Sequence, residues 1–222
     1  HRDYLGFVKA DRTGEELIKL IDAISTNFTS FWREPAHFEF LGKQIETWIG
    51  QGQKRLRIWC AAASTGEEPY TLAMVCLNAL AGQSIDMRIL CTDISTRVLA
   101  ACHQGMYTAD KLVSLPLGWR DRWFERTVEQ DVWRASEELR THLVFSRLNL
   151  METPYPMTGP FDAIFCRNVM IYFDVEGRQK VVSQVTRLLK PKGYFFTGHS
   201  ESLNGISKGL KLVKPSVYKL EG

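Results

Sequence analysis

The sequence predicts an α/β fold, a mostly parallel sheet with helices on both faces, and two observations predict it. Short apolar runs at Leu56 to Ala61 (LRIWCA), Met87 to Asp93 (MRILCTD) and Phe161 to Cys166 (FDAIFC) read as buried strands. Each is followed, directly or after a loop, by a stretch with helical apolar spacing. The 222 residues suffice for one substantial domain with a small appendage and not for two equal ones. With 45% hydrophobic and 24% charged residues, the chain can bury a core and is not of the disordered class.

Taken in order, the segment TGEELIKLIDAI from Thr13 has a cap and apolar positions Leu17, Ile18, Ile21 and Ile24, which predict a helix leading into the main domain. His1 in place of a starting Met suggests a fragment. The segment STNFTSFWREPAHF (Ser25 to Phe38) then interleaves polar residues with Phe28, Phe31 and Trp32, and sets Arg33 and Glu34 ahead of Pro35. A second helix is expected from Pro35 to about Ile49, because proline at a first helical position gives up an N–H that has no partner there. Asn27, Thr29 and Arg33 read either as a capped turn with a solvated arginine or, given the aromatic neighbours, as part of a site.

Between the first strand and PYTLAMVCLNALA lie Ala62, Ala63, Ser64, Thr65, Gly66, Glu67 and Glu68, a tight turn of small residues entering a helix with two acids. Gly66 permits positive φ, and small residues let backbone approach a ligand. Asp93 ends the next strand, where nucleotide-binding folds place a carboxylate for ribose hydroxyls. The turn has one glycine and no lysine of a phosphate loop, and its acids repel a phosphate. A cofactor with hydroxyls and a cationic end, such as S-adenosylmethionine, therefore suits it better than NAD or ATP. An ordinary strand-helix turn with solvated acids explains this segment equally well.

After a helix near Ser95 to Cys102 the pattern changes. Residues 107–139 read as a small inserted lobe of short antiparallel strands, whose arginines and offsetting acids form either a solvated mixed surface or, with Trp119, Trp123 and Trp133 as residue types enriched at binding hot spots, a docking surface. Within it and beyond, EQDVWRASEELRTHLVF reads as short strands joined by a polar turn. The chain divides as 1–25, the end of a helical region or linker; 26–106 and 140–222, the main domain; and 107–139, the lobe. Arg167 and Asn168 follow FDAIFC at the strand end where open α/β sheets bind ligands. The helix Glu176 to Leu189, a Pro-Gly turn with a strand in LKPKGYFFTGHSE, and a last strand SVYKL complete the sheet.

Lys and Arg exceed Asp and Glu by three, too little to imply nucleic acid. Five cysteines without CxxC or metal-ligand spacing read as reduced core thiols in a cytoplasmic protein. No apolar run is long enough to span a membrane.

Five strings together, ISTNFTSFWRE, WCAAASTGEEPYTLA, FDAIFCRNVMIYFD, LLKPKGYFFTGHSE and VYKL, closely resemble the CheR family of chemotaxis receptor methyltransferases, from Ile24 to the C-terminus. The resemblance implies a Rossmann-like class I methyltransferase sheet that uses S-adenosylmethionine, releases S-adenosylhomocysteine and esterifies glutamates on the cytoplasmic helical domain of chemoreceptors. Carried over by motif, the cofactor contacts fall on Asn27, Thr29, Arg33, Glu68, Asp93, Asn149, Leu150, Arg167 and Asn168. Arg33 and Tyr172 fall near the methyl-transfer centre, with Tyr172 otherwise explicable as a core tyrosine beside Phe173. One departure is the lobe segment ERTVEQDVW, which lacks the glycines that help some relatives grip a receptor tail peptide, so no strong tail tether is expected.

A carboxylate attacking a methyl sulfonium needs no general base, since a glutamate with a pKa of about 4.3 is already ionised. This accords with a chain that has no Ser-His-Asp set, no expected metal cluster and scattered histidines, of which only His199 is a candidate to line the site. A methyltransferase acting on another substrate and a cofactor-binding module without turnover are the competing readings.

Overall fold

The computed structural model describes residues 2–13, 15–24, 27–206 and 209–222. Helices α1 (Arg2–Ala10) and α2 (Glu15–Ile24) precede the main body. Leu17 on α2 is exposed, while the side chains of Ile18, Ile21 and Ile24, and the boundary expected at residues 25 and 26, lie outside the described residues.

The body runs α3 (Pro35–Gly50), β1 (Arg55–Cys60), α4 (Glu67–Leu80), β2 (Asp86–Asp93) and α5 (Thr96–Gln104). The lobe follows, with β3 (Met106–Thr108), a 3-10 turn (Ala109–Ser114), α6 (Trp119–Trp123), β4 (Phe124–Arg126) and β5 (Val132–Ala135). The chain returns through α7 (Glu137–Arg140), β6 (Leu143–Arg147), β7 (Phe161–Phe165), a 3-10 turn (Met170–Tyr172), α8 (Val175–Leu188), β8 (Leu189–Phe196), β9 (Leu210–Lys214) and β10 (Val217–Leu220). Among the described residues, seven strands form the main sheet in the order β6-β2-β1-β7-β8-β10-β9. Strands β6 to β8 in that order are parallel, and β10 and β9 add an antiparallel edge.

The period of two in β1 explains the layering. Leu56, Ile58 and Cys60 enter the core shared with α3 and α4, whereas Trp59 and Ala61 enter the one shared with α8. Helix α3 buries His37, Phe38, Leu41 and Ile45, a helical stripe whose large apolar members each contribute about 1.5–3 kcal/mol. Helix α4 is buried nearly all round, as a helix must be when covered by the sheet, α3 and the lobe. Side-chain oxygens cap α5 and α8: Val98 N–H donates to Ser95 Oγ and Gly177 N–H to Asp174 Oδ1. No helix among the described residues is long and apolar enough to cross a membrane.

Three readings of the sequence need correction. The stretch before β6 is not only strand, because Ser136 followed by Glu137 and Glu138 starts the helical turn α7, where acids suit the N-terminus. The hairpin partner β9 was hidden by its lysines and exposed face. In the lobe, whose sheet is ordered β3-β5-β4, Trp123 on α6 and Trp133 on β5 are buried rather than offered outward for docking. Arg120 and Arg126 lie over Trp133 at 4.7 and 5.0 Å, and Arg122 lies over Trp123 at 4.4 Å, so arginines form the outer surface.

Candidate active site

A cavity of about 400 Å³ opens along the C-terminal ends of β1, β2 and β7, and it gathers every residue to which the resemblance gives a cofactor or methyl-transfer role, while His199, the other candidate, does not line it. Asn27, Thr29 and Arg33 line one side, Glu68 and Asp93 the sheet edge, and Asn149, Leu150, Arg167, Asn168 and Tyr172 the other. Such placement follows from topology, because the side chains at parallel strand ends converge where the loops leave the sheet.

Asp93 ends β2 and uses both oxygens to fix the neighbouring turns. Oδ2 accepts from the Ser64 N–H at 2.9 Å, and Oδ1 accepts from the Ser95 N–H at 3.0 Å. Burial raises its carboxyl above the ordinary value, against the lowering pull of those N–H groups. The Ile94 N–H adds a third donor, and a carboxylate has about four acceptor positions, so Asp93 can still accept from a hydroxyl in the cavity.

Glu68 and Arg167 form the cavity's buried wall. Arg167 Nη1 donates to Glu68 Oε2 at 2.7 Å, and Nη2 donates to the Arg33 carbonyl at 2.6 Å and pairs with Glu34 Oε2 at 3.0 Å. Burial raises the Glu68 pKa above its ordinary value although Arg167 pulls it down. In Glu34 the balance reverses: burial acts to raise its pKa, and Arg167 overcomes this to leave it lowered. Glu67, the other acid of this turn, is 1% exposed and meets Lys111 of the lobe at 2.7 Å. The acids are therefore not solvated, which removes the ordinary-turn explanation.

Backbone strain concentrates around the cavity. Trp32, Glu34, Ser64 and Asn168 all have positive φ, between 49° and 59°, and they flank or include cavity residues. Gly66 has φ 105° as expected, but for a different reason from ligand approach: a Cβ there would collide with the Tyr107 hydroxyl and Cys102 Sγ. The glycine fits the turn against the lobe, whose Tyr107 hydroxyl also donates to the Thr65 carbonyl at 2.9 Å.

At the mouth, half-buried Arg33 donates from Nη1 to the Phe28 carbonyl at 3.1 Å and lies over the Phe28 ring. Tyr172 is 60% exposed, which excludes the core-tyrosine explanation. Asn149 is engaged locally, donating from Nδ2 to Glu152 Oε1 at 2.9 Å, and Leu150 is buried in the α8 core while touching the cavity.

Sequence reasoning missed Glu201 and Phe28. Buried Glu201 accepts from the Asn168, Gly198 and Ile171 N–H groups at 2.8, 2.6 and 3.2 Å, and so shapes the Asn168 turn. Exposed Phe28 covers one side of the mouth. The GHSE string carried a signal for Glu201, an acid beside small residues after a strand. The histidines are also less scattered than expected, because His37 and His199 meet at Glu34, with ring centroids 5.2 Å apart. A Glu-x-x-His spacing at Glu34 and His37 was the legible sign.

The cavity fits S-adenosylmethionine. Asp93 offers acceptor positions for a ribose, Ala61, Leu148, Leu150 and Val169 offer apolar surface for a base, and the arginines can meet an amino-acid carboxylate.

The family model described as CheR methyltransferase, SAM binding domain, matches residues 27–219. A chemotaxis protein methyltransferase of Borreliella burgdorferi is 37% identical over 98% of this chain and 78% of its own. Chemotaxis protein methyltransferase 2 of Pseudomonas aeruginosa is 39% identical over 96% of this chain and 76% of its own. Among solved structures, the DszA carbon methyltransferase aligns over 86% of this chain and 37% of its own, at 17% identity and a TM-score of 0.46. The family model and the two chemotaxis relatives lead to one assignment, which the sheet and the cavity at its edge accommodate: the chain belongs to the CheR methyltransferase family, and its cofactor is S-adenosylmethionine.

Proposed function

We propose that the chain esterifies glutamate side chains on the cytoplasmic helical domain of chemoreceptors, giving glutamate methyl esters and S-adenosylhomocysteine. The observation that carries this reading is the composition of the cavity mouth: an arginine and an exposed tyrosine stand over an acid-lined cavity, and no histidine is among its described lining residues. Bound S-adenosylmethionine supplies an electrophilic methyl group. A glutamate substrate arrives ionised, so the protein's work is orientation and exclusion of water rather than proton transfer.

In this reading Arg33 orients the incoming carboxylate with its planar donor fork, and Phe28 shields that pair from solvent. The Tyr172 hydroxyl donates to the reacting groups without adding charge. Asn27, Thr29, Glu68, Asp93, Asn149, Leu150, Arg167 and Asn168 hold the cofactor, Glu68 and Arg167 chiefly by fixing each other. The enzyme works in the cytoplasm, neither inserts in the membrane nor binds nucleic acid, and meets the receptor through the lobe's outer arginines.

Incubation with methyl-labelled cofactor and candidate receptor cytoplasmic domains tests the assignment. Base-labile label on receptor glutamates is expected. Base-stable label, or label only on a small molecule, would move the chain to another methyl acceptor.

A further inference from the structure

We propose that Glu34, His37 and His199 form a three-ligand site for a borderline transition-metal dication such as Zn²⁺, separate from the cofactor cavity, whose lining includes none of the three. Glu34 Oε2 lies 3.4 Å from His37 Nδ1 and 3.6 Å from His199 Nε2, and the three ligand atoms fall within 4.8 Å of one another. Tetrahedral bonds of about 2.0–2.1 Å set ligand atoms roughly 3.3 Å apart, so small side-chain rotations close the set.

His37 is the anchor. It is 1% exposed, its Nδ1 lies 3.4 Å from Glu34 Oε2, and the ring also meets the Pro215 carbonyl. A neutral imidazole that gives its one N–H to an oxygen keeps a lone pair on the other nitrogen, and oxygens facing that lone pair cannot use it. Packing holds the ring in place against Phe196, with centroids 5.7 Å apart.

The other two ligands are oriented by backbone. Glu34 sits at φ 59° before α3, and its Oε1 accepts from the His199 N–H at 3.3 Å, which ties the two residues together before any ion arrives. His199 is half exposed and gives solvent access from the loop after β8. Two imidazoles and one carboxylate select Zn²⁺, Co²⁺ or Ni²⁺ over Mg²⁺, and three protein ligands leave a position for water. Arg167 competes, since it pairs with the same Glu34 oxygen at 3.0 Å. It keeps Glu68 and the Arg33 carbonyl as partners when the ion takes Glu34, and the competition makes the site exchangeable rather than structural.

Metal-stripped protein titrated with Co²⁺ provides the test, because ligand-field absorption reports geometry and near-ultraviolet charge transfer reports thiolate ligation. The expected result is saturable visible absorption without the thiolate band, displaced by Zn²⁺. Exposed His199→Ala should weaken it at least about tenfold, while S-adenosylhomocysteine affinity in chelator stays unchanged and confirms the fold. His37→Gln should weaken it similarly. A thiolate band, undiminished affinity in His199→Ala, or no saturable binding would each overturn the site.

Discussion

Arg167 and Glu68 face each other at 2.7 Å with side chains only 1% and 13% exposed, so the cofactor cavity is walled by a buried ion pair contributed by the segment after β7 and by α4. Removing one member strands the other in low dielectric, where an unpaired charge is costlier than a missing pair. Arg167→Met should therefore lower unfolding free energy by about 3–5 kcal/mol, whereas Glu68→Gln, which can still accept from Arg167, should cost less. Urea unfolding measures both. A loss below about 1 kcal/mol for Arg167→Met would mean that the wall is solvated, as surface pairs are.

Asp93 joins the turns after β1 and β2 and also faces the cavity, so its substitution acts on the cofactor in two ways. Asp93→Ala should weaken cofactor binding by about 1–3 kcal/mol, and Asp93→Asn, which retains one acceptor oxygen, should weaken it less. Calorimetry with S-adenosylhomocysteine distinguishes them. Equal affinity of wild type and Asp93→Ala, with the fold intact, would take Asp93 out of the site.

Much of this site was legible because strand ends are legible. Continuous apolar runs mark β1, β2 and β7, and the acid or arginine that ends such a run must lie where the sheet opens, which located Asp93 and Arg167. What stayed hidden depends on contacts distant in sequence. Lys111 lies 44 positions from its partner Glu67, and Glu201 acts on Asn168 through a fold-made approach of 33 positions. The lobe's tryptophans were misplaced for a related reason. Trp123 lies on the five-residue helix α6 and Trp133 on the four-residue strand β5, elements too short for either periodicity to say which side becomes the interior.

Arg33→Lys and Tyr172→Phe separate geometry from charge at the mouth. Lysine keeps the charge but loses the planar fork, so Arg33→Lys should lower kcat/KM by tenfold or more, about 1.4 kcal/mol. Tyr172→Phe should lower kcat with little change in cofactor affinity, because the ring still lines the cavity and only the hydroxyl is lost. Steady-state rates beside calorimetric affinities decide. Wild-type kcat in Tyr172→Phe would reduce the tyrosine to an apolar rim.

His37 predicts how stability responds to acid. Its pKa is depressed in the fold to about 4 from 6.5, so between those values the unfolded chain binds the extra proton. Stability contributed by the neutral ring is complete above about pH 6.5 and is lost as pH falls toward about 4, with a slope of up to about 1.4 kcal/mol per pH unit. His37→Gln should flatten the unfolding free energy across that window. An unchanged slope in chelator would show that other groups govern the acid limb.

The lobe predicts how a receptor is reached. A tail peptide that adds a strand needs an open edge with free N–H and C=O groups over several residues. The β4 edge has three residues, and its loop closes on itself, with the Thr127 N–H and hydroxyl both donating to the Val132 carbonyl at 3.0 and 3.1 Å. No glycine in that loop relieves its backbone. The outer face instead carries exposed Arg126 and Arg134 beside Arg120 and Arg122, whose exposed, readily exchanged pairs with Asp121 and Glu138 can give way to the acids of a receptor helix. Titration with a peptide copying an aromatic receptor tail should therefore give a Kd weaker than about 1 μM, the −8 kcal/mol level, while binding to a receptor helical bundle should weaken steeply as salt rises from 50 to 500 mM, roughly the range over which screening shortens to a few Å. Reversing Arg122 and Arg126 to Glu should abolish the bundle contact and leave S-adenosylhomocysteine affinity intact, since neither residue lines the cavity. Tight tail-peptide binding, or salt-insensitive bundle binding, would mean that the receptor is held by a surface other than the arginine face.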